Sequence, residues 1–410
     1  MSSNSPLASQ KEIELLLTEM LEIDKQQHQL FQDLNEELNT FDPEGSKDEH
    51  MAIFKKALII KKALIEIQYK HIEVSHKLAQ NGKLYFADNC TMFLPEKYVL
   101  PSLKGKNPQE IIESSYFSLL SKIRDSSQLE EEDFKLVNSY LMELASRPQG
   151  QKLLVKFNYL LEKKNAPCSI SAIDEFTVSR SGGATVTAKP DYKYNNFSSF
   201  KEIIKESSTK GKGVERINIT VPKKYYESDA YFNVELAASN DQRSRGLVDI
   251  GPGFLLFGHE LIHACHFLSG SAKLDINHFF AKIKNDKNEA MATLYEFRDS
   301  NKKGEPILKN NKESAEEFWT IEGAKLSENK LRNEHGLLNR IGHGSVQPDD
   351  SYVGIKELIA LGESQKANDD SIYKSYWNEI QNMTEEELES TQKDQEEITS
   401  SYQSIKNRFS

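Results

Sequence analysis

A run of apolar residues leads into the most informative stretch of the chain, Gly258-His259-Glu260-Leu261-Ile262-His263-Ala264-Cys265-His266. On a helix, His259 and His263 lie about 6 Å apart along the axis and project from one face, close enough to bind one metal ion. Zinc binds neutral imidazole readily, and Glu260 lies where it can act as general base on a metal-bound water. The spacing therefore predicts a zinc-peptidase type of helix, and the alternative is a buried helix whose histidines are only hydrogen-bonded.

The composition predicts a water-soluble chain of 410 residues with room for two or three domains. A formal net charge of -11 disfavours binding to nucleic acid, which requires a basic surface. Three widely spaced cysteines indicate reduced thiols and folding in a cytoplasm. We find no conventional export signal and no apolar run near the roughly 18 residues of a membrane span.

The N-terminal region has the pattern of an antiparallel helical hairpin. Apolar residues recur at helical spacing over 10–41 and again over 50–79, and Asp42-Pro43-Glu44-Gly45 separates the two runs. The hairpin is either an arm that binds a partner or a helical subdomain packed on the rest of the chain. Further helices are predicted over 108–124, 131–145, 150–163, 288–298, 312–321 and 326–335.

A small sheet is predicted between these helices. After Pro167 the composition shifts to Ser, Thr, Gly and β-branched residues, and apolar residues alternate with polar ones in Ile217-Asn218-Ile219-Thr220-Val221. Phe176-Thr177-Val178 and Ala184-Thr185-Val186 have similar composition. An exposed edge of this sheet could hold an extended substrate beside the zinc helix, or the sheet could be an ordinary packed one. The zinc helix is expected to end near Gly270, and the fold class is α+β.

A catalytic zinc has three protein ligands and one open position. His266 follows His263 by three residues, but it lies about 10 Å along the axis from His259, so support or packing fits it better than ligation. The third ligand is therefore expected from a separate helix. The best downstream candidate is the segment Glu316-Glu317-Phe318-Trp319-Thr320.

The stretch from His259 to His266, with Gly270 after it, resembles the zinc helix of clostridial neurotoxin light chains. In that family a later Glu-Glu-x-x-Thr supplies the third ligand from its second glutamate, which implies Glu317 here. The connection from His263 is longer in this chain than in the neurotoxins.

A second segment is similar to the NleD-like group of bacterial effector zinc metallopeptidases. The first matching motif is Glu-Asn-x-x-Arg-x-Glu-x-Gly-Leu over 328–337. The second motif in that group is Arg-x-x-Tyr. This chain has its arginine, Arg340, but has His343 where the tyrosine is expected. The resemblance extends over about 131–354, so the N-terminal hairpin and the C-terminal tail lie outside it.

This resemblance implies a zincin-like fold and oxyanion stabilisation by Arg340 and His343, since a cation and a hydrogen-bond donor both favour developing negative charge. Because His titrates nearer neutrality than Tyr, the pH dependence is expected to differ. Arg340 could instead form a surface salt bridge. Glu328 could orient a ligand histidine, or it could be an N-terminal helix charge.

The combined hypothesis is an endopeptidase with one Zn²⁺ held by His259, His263 and Glu317. By resemblance, it is made in the bacterial cytoplasm, enters a host cell through a type III or type IV secretion system and cleaves a host protein. The predicted domains are a helical N-terminal region (1–128), the peptidase domain (129–362) and a charged, partly helical tail (363–410). The alternatives are an effector or scaffold that binds a host partner through the N-terminal region with a structural or degenerate metal site, and a hydrolase with a non-peptide substrate.

Overall fold

A computed structural model describes residues 8–40, 46–87, 94–127, 129–173, 185–187, 212–222, 252–272, 279–283, 310–314, 316, 320–321, 324–337 and 339. The helices are α1 (Gln10–Asn39), α2 (Lys47–Gln80), α3 (Pro108–Ser126), α4 (Glu131–Ala145), α5 (Pro148–Lys164), α6 (Gly253–Ser269) and α7 (Glu328–Glu334). The strands are β1 (Cys168–Ile173), β2 (Thr185–Thr187), β3 (Ile217–Pro222), β4 (Phe279–Ile283) and β5 (Asn310–Ser314). These elements fall into two compact units, of which the first contains α1 to α7 with β1 to β3 and the second contains β4 and β5.

The N-terminal helices form the predicted antiparallel hairpin. At one end of the pair, Lys56 Nζ lies 3.0 Å from Glu37 Oε1. At the other end, the backbone N–H of Ala8 donates to Asn81 Oδ1 at 2.7 Å. Ser46 begins α2 with a reciprocal capping box, in which its side chain accepts from the backbone N–H of Glu49. Because α2 packs on α4, the hairpin is part of the first unit, while its role as a partner-binding arm stays a prediction.

Helices α3 to α5 follow the predicted boundaries closely. Asn107 caps α3 by accepting from the backbone N–H of Glu110, and Pro108 occupies the first helical position, where its missing N–H has no effect. Helix α5 also begins with a proline, Pro148, which lies two residues before the predicted start. Helix α4 is buried over most of its length and forms the centre of this unit.

The three-stranded sheet is built around β3, the strand with the alternating pattern. β1 pairs with β3 in parallel and β2 pairs with it antiparallel. Ile217, Ile219 and Val221 are all buried, as the period of two predicts. The backbone N–H of Val214, just before β3, donates to the carbonyl of Phe267 in α6 at 2.9 Å, so the sheet lies beside the motif helix. The predicted strand over 176–178 lies outside the described residues.

The second unit contains an antiparallel pair of strands, β4 and β5. Sequence patterning predicts a helix over 312–321, and this is wrong for its first residues, because 310–314 form β5. Pairing with β4 satisfies the backbone groups of this polar segment and overrides its local helical pattern. The predicted helix over 288–298 lies outside the described residues.

Helix α6 carries the motif and ends at Ser269, before Gly270, whose φ of +67° lies in the left-handed region that ends helices. Its fifteen buried residues include both polar and apolar side chains of the motif. Among the described helices, none is both long enough and apolar enough to cross a lipid bilayer.

Candidate metal centre

Helix α6 brings the two motif histidines together. His259 and His263 are 3% and 4% exposed, and their Nε2 atoms lie 2.9 Å apart. Two nitrogen ligands of a tetrahedral zinc ion lie about 3.3 Å apart when each bond is 2.0 to 2.1 Å long. The two imidazoles are therefore close to the separation at which they could share one ion.

Glu328 fixes the orientation of His259 from α7. The Glu328 Oε2 atom lies 2.8 Å from His259 Nδ1, and Arg332 Nε donates to Glu328 Oε1 at 2.7 Å. A carboxylate at Nδ1 favours the tautomer that carries its proton there, so Nε2 presents a lone pair. Of the two roles that the sequence leaves open for Glu328, this contact fits the one in which it orients a motif histidine, and the guanidinium of Arg332 binds the other carboxylate oxygen.

Gly258 allows α7 to lie close enough for this contact. A Cβ atom on Gly258 would lie 2.9 Å from Leu331 Cδ1 and 3.2 Å from Leu144 Cδ2. A larger residue would push α4 or α7 away from α6. The glycine before the motif therefore has a packing role beside the chemistry of its neighbours.

His266, three residues after His263 on the same helix, is buried at 4% exposure. In the second unit, Glu316 is buried, and its Oε1 accepts a hydrogen bond from Thr320 Oγ1 at 3.3 Å. Glu317 lies outside the described residues, as do Arg340 and His343.

The donor chemistry fits a divalent ion such as zinc, which binds imidazole nitrogen and carboxylate oxygen. Cys265, between His263 and His266 in sequence, is buried, and burial raises the pKa of its thiol to about 11. Because only the thiolate is a good metal ligand, Cys265 stays a protonated packing residue at neutral pH. Glu260 is also buried, at 6% exposure, in the same helix.

Residues 123–342, more than half of the chain, match the peptidase M91 family, described as effector protein. The chain belongs to this family. The match confirms the NleD-like family suggested by the motifs, and it supports a peptidase effector that has a protein substrate, a bound metal and a route into host cells. Neither the curated proteins nor the solved structures contain a match to the chain.

Sequence reasoning missed a second buried cluster, His71, Glu143 and His335, which we call the core cluster. Glu143 Oε2 lies 2.8 Å from His71 Nε2, and Glu143 Oε1 lies 3.4 Å from His335 Nδ1. The one feature of the sequence that could have indicated this cluster is Glu143, a charged residue at a buried position of α4. No spacing rule connects three residues so far apart in sequence.

Proposed function

We propose that this effector is a zinc endopeptidase with a zincin-like peptidase domain over 129–362, between the helical region 1–128 and the charged tail 363–410. His259, His263 and Glu317 are the proposed ligands of one Zn²⁺, and His266 is the alternative histidine ligand. The observation that carries the proposal is the approach of the two Nε2 atoms to 2.9 Å while Glu328 holds the opposite nitrogen of His259.

When bound, the metal would polarise the substrate carbonyl and activate water. Glu260 takes the proton of the attacking water and delivers it to the leaving amine. Arg340 and His343 stabilise negative charge on the carbonyl oxygen, each with a contribution of a few kcal/mol. Glu328 keeps the proton on His259 Nδ1 throughout, since Arg332 holds its carboxylate in place.

The substrate is proposed to be a host protein, reached after delivery by a type III or type IV secretion system. Host-cell lysate would be treated with the wild type and with Glu260→Gln, and new protein termini would be identified by mass spectrometry. New termini with the wild type and none with a zinc-loaded Glu260→Gln protein are the expected result. Identical termini from both proteins would contradict peptidase action through Glu260.

A second candidate function is partner binding by the hairpin, with a structural or degenerate metal site. Among the described residues, the exposed large apolar side chains Leu15, Ile59 and Tyr69 all lie on α1 and α2, at 61%, 68% and 53% exposure. Exposed apolar side chains mark a binding surface when they form one contiguous patch, and the hairpin is where the described part of the chain exposes them. A zinc-loaded Glu260→Gln protein that keeps its full effect in host cells would favour this function.

A further inference from the structure

Helix α7 carries Glu328, but it has only seven residues. A helix of this length is not stable alone in water, so its position depends on what holds its ends. Three consecutive residues at its C-terminal end, Glu334, His335 and Gly336, contact three other helices. We call them the anchor segment.

Glu334 binds the N-terminus of α5. Its carboxylate accepts from the backbone N–H groups of Gln149 at 2.7 Å and Gly150 at 3.1 Å. The N-cap residue of α5, Arg147, makes no capping hydrogen bond with its own side chain. Glu334 therefore accepts from backbone N–H groups in the first turn of α5, which have no acceptor within the helix. The positive end of the helix dipole also attracts its carboxylate.

His335 connects the anchor segment to α1 through Arg147. The Nε–H of Arg147 donates to His335 Nδ1 at 3.3 Å, and its Nη2 donates to Asp24 Oδ1 at 2.6 Å. Asp24 lies on α1 and also accepts from the hydroxyl of Tyr85 at 3.1 Å. His335 packs against Phe254 in the first turn of α6, with ring centroids 4.6 Å apart.

Gly336 contacts α1 directly. Asn35 Nδ2 donates to the carbonyl of Gly336 at 2.6 Å. The φ of Gly336 is +74°, and a Cβ atom there would lie 2.5 Å from Cε1 of His28 on α1. Only glycine fits this backbone conformation at this distance from α1.

We propose that α1 positions the metal centre, with Asn35 as its principal positioning residue. Asn35 holds Gly336, the anchor segment fixes α7, and α7 keeps Glu328 on His259. Helix α1 lies outside residues 123–342, so family membership does not assign it this role. The inference rests on the proposed function, because His259 and His263 are proposed ligands.

The test measures Zn²⁺ affinity of the full-length protein by competition with a chromophoric chelator, together with the melting temperature. Asn35→Asp keeps the size of the side chain but sets an acceptor against the carbonyl of Gly336, so we expect Zn²⁺ affinity to fall about threefold to tenfold. Outer partners of metal ligands typically change affinity by about 10- to 100-fold, and Asn35 acts one step further away. The matched control is Gln29→Ala, also on α1, whose exposed side chain donates to Asp33 and whose loss should leave the affinity unchanged.

A double variant separates positioning from general destabilisation. In a Glu328→Gln background, Asn35→Asp should cause little further loss of affinity, because both changes act through the same contact. Equal losses in both backgrounds, or no loss in either, would overturn the positioning role. If Glu328→Gln leaves Zn²⁺ affinity unchanged while His263→Ala abolishes binding, the metal centre stands and the positioning role fails. If His263→Ala also leaves the affinity unchanged, the proposed function itself fails.

Discussion

Two buried clusters of this protein contain nearly the same residue types but place the carboxylate differently. In the core cluster, Glu143 lies between His71 and His335 and contacts both. In the motif cluster, made of His259, His263 and Glu328, the carboxylate contacts the outer nitrogen of His259. The inner nitrogens of the two motif histidines face each other.

This difference in placement decides what each cluster can do. Burial alone would raise the pKa of Glu143, but His71 and His335 hold it well below its usual range. The core cluster therefore provides its buried carboxylate with partners on both sides and has a structural role. The motif cluster brings two imidazole nitrogens toward one point, which is the arrangement that a cation requires. Residue content alone would not distinguish the two.

The largest effect is expected from His263→Ala, since His263 is a predicted ligand and its Nε2 lies 2.9 Å from that of His259. Zinc sites in small proteins supply about 10–16 kcal/mol over their ligands, so one ligand is worth several kcal/mol. Zn²⁺ affinity should fall by roughly a thousandfold or more, and peptidase activity should be lost. Metal analysis after gel filtration checks this, and a full equivalent of zinc in the variant would argue against the centre.

Glu143→Ala tests the core cluster. It leaves two histidines without their buried carboxylate, so the free energy of unfolding should fall by about 3–5 kcal/mol. With excess Zn²⁺ the folded variant should still bind one equivalent, with at most a small fall in affinity because His335 also belongs to the anchor segment. Urea unfolding measures the free energy of unfolding, and Glu131→Ala, an exposed change on the same helix, is the control that should alter it little. Complete loss of zinc from the folded Glu143 variant would show that the core cluster is needed for the metal centre itself.

His259→Ala and His266→Ala compare the two possible ligand sets. We expect His259→Ala to weaken Zn²⁺ binding by about a hundredfold more than His266→Ala, because Glu328 fixes the tautomer of His259. Titration of each variant with Zn²⁺ gives the two affinities. The reverse order would assign the ligand role to His266.

The smallest effect concerns Glu334 in the anchor segment. Burial raises the pKa of this carboxyl to about 7 from the ordinary 4.5, and the hydrogen bonds from Gln149 and Gly150 oppose that rise. Between these two pH values the folded state binds more protons than the unfolded state, so this group lowers stability as pH rises from about 4.5 to 7. Glu334→Gln should therefore make the free energy of unfolding, measured with urea, fall less between about pH 4.5 and 7. An unchanged slope would mean that other groups cause it.

Local patterns in the sequence predict much of this fold. Strict alternation identifies β3, and helical periodicity with Pro and Asn signals places α3 to α5 within a few residues. The patterns fail where the partner is distant, as in β5, whose pairing with β4 overrides a helical pattern. The same limit applies to the site. The motif identifies His259 and His263, but Glu328 is 69 residues from His259, and only the resemblance points to it. No spacing rule predicts the role of Asn35, since its partner Gly336 is 301 residues away.

That separation also bears on the order in which the protein folds. Closing a loop of this length is slow compared with forming a helix, so α6 can form long before Asn35 meets Gly336. A chain still being synthesised carries the complete motif before Glu328 can be held against His259. Tight metal binding is therefore expected to be among the last properties that the protein acquires.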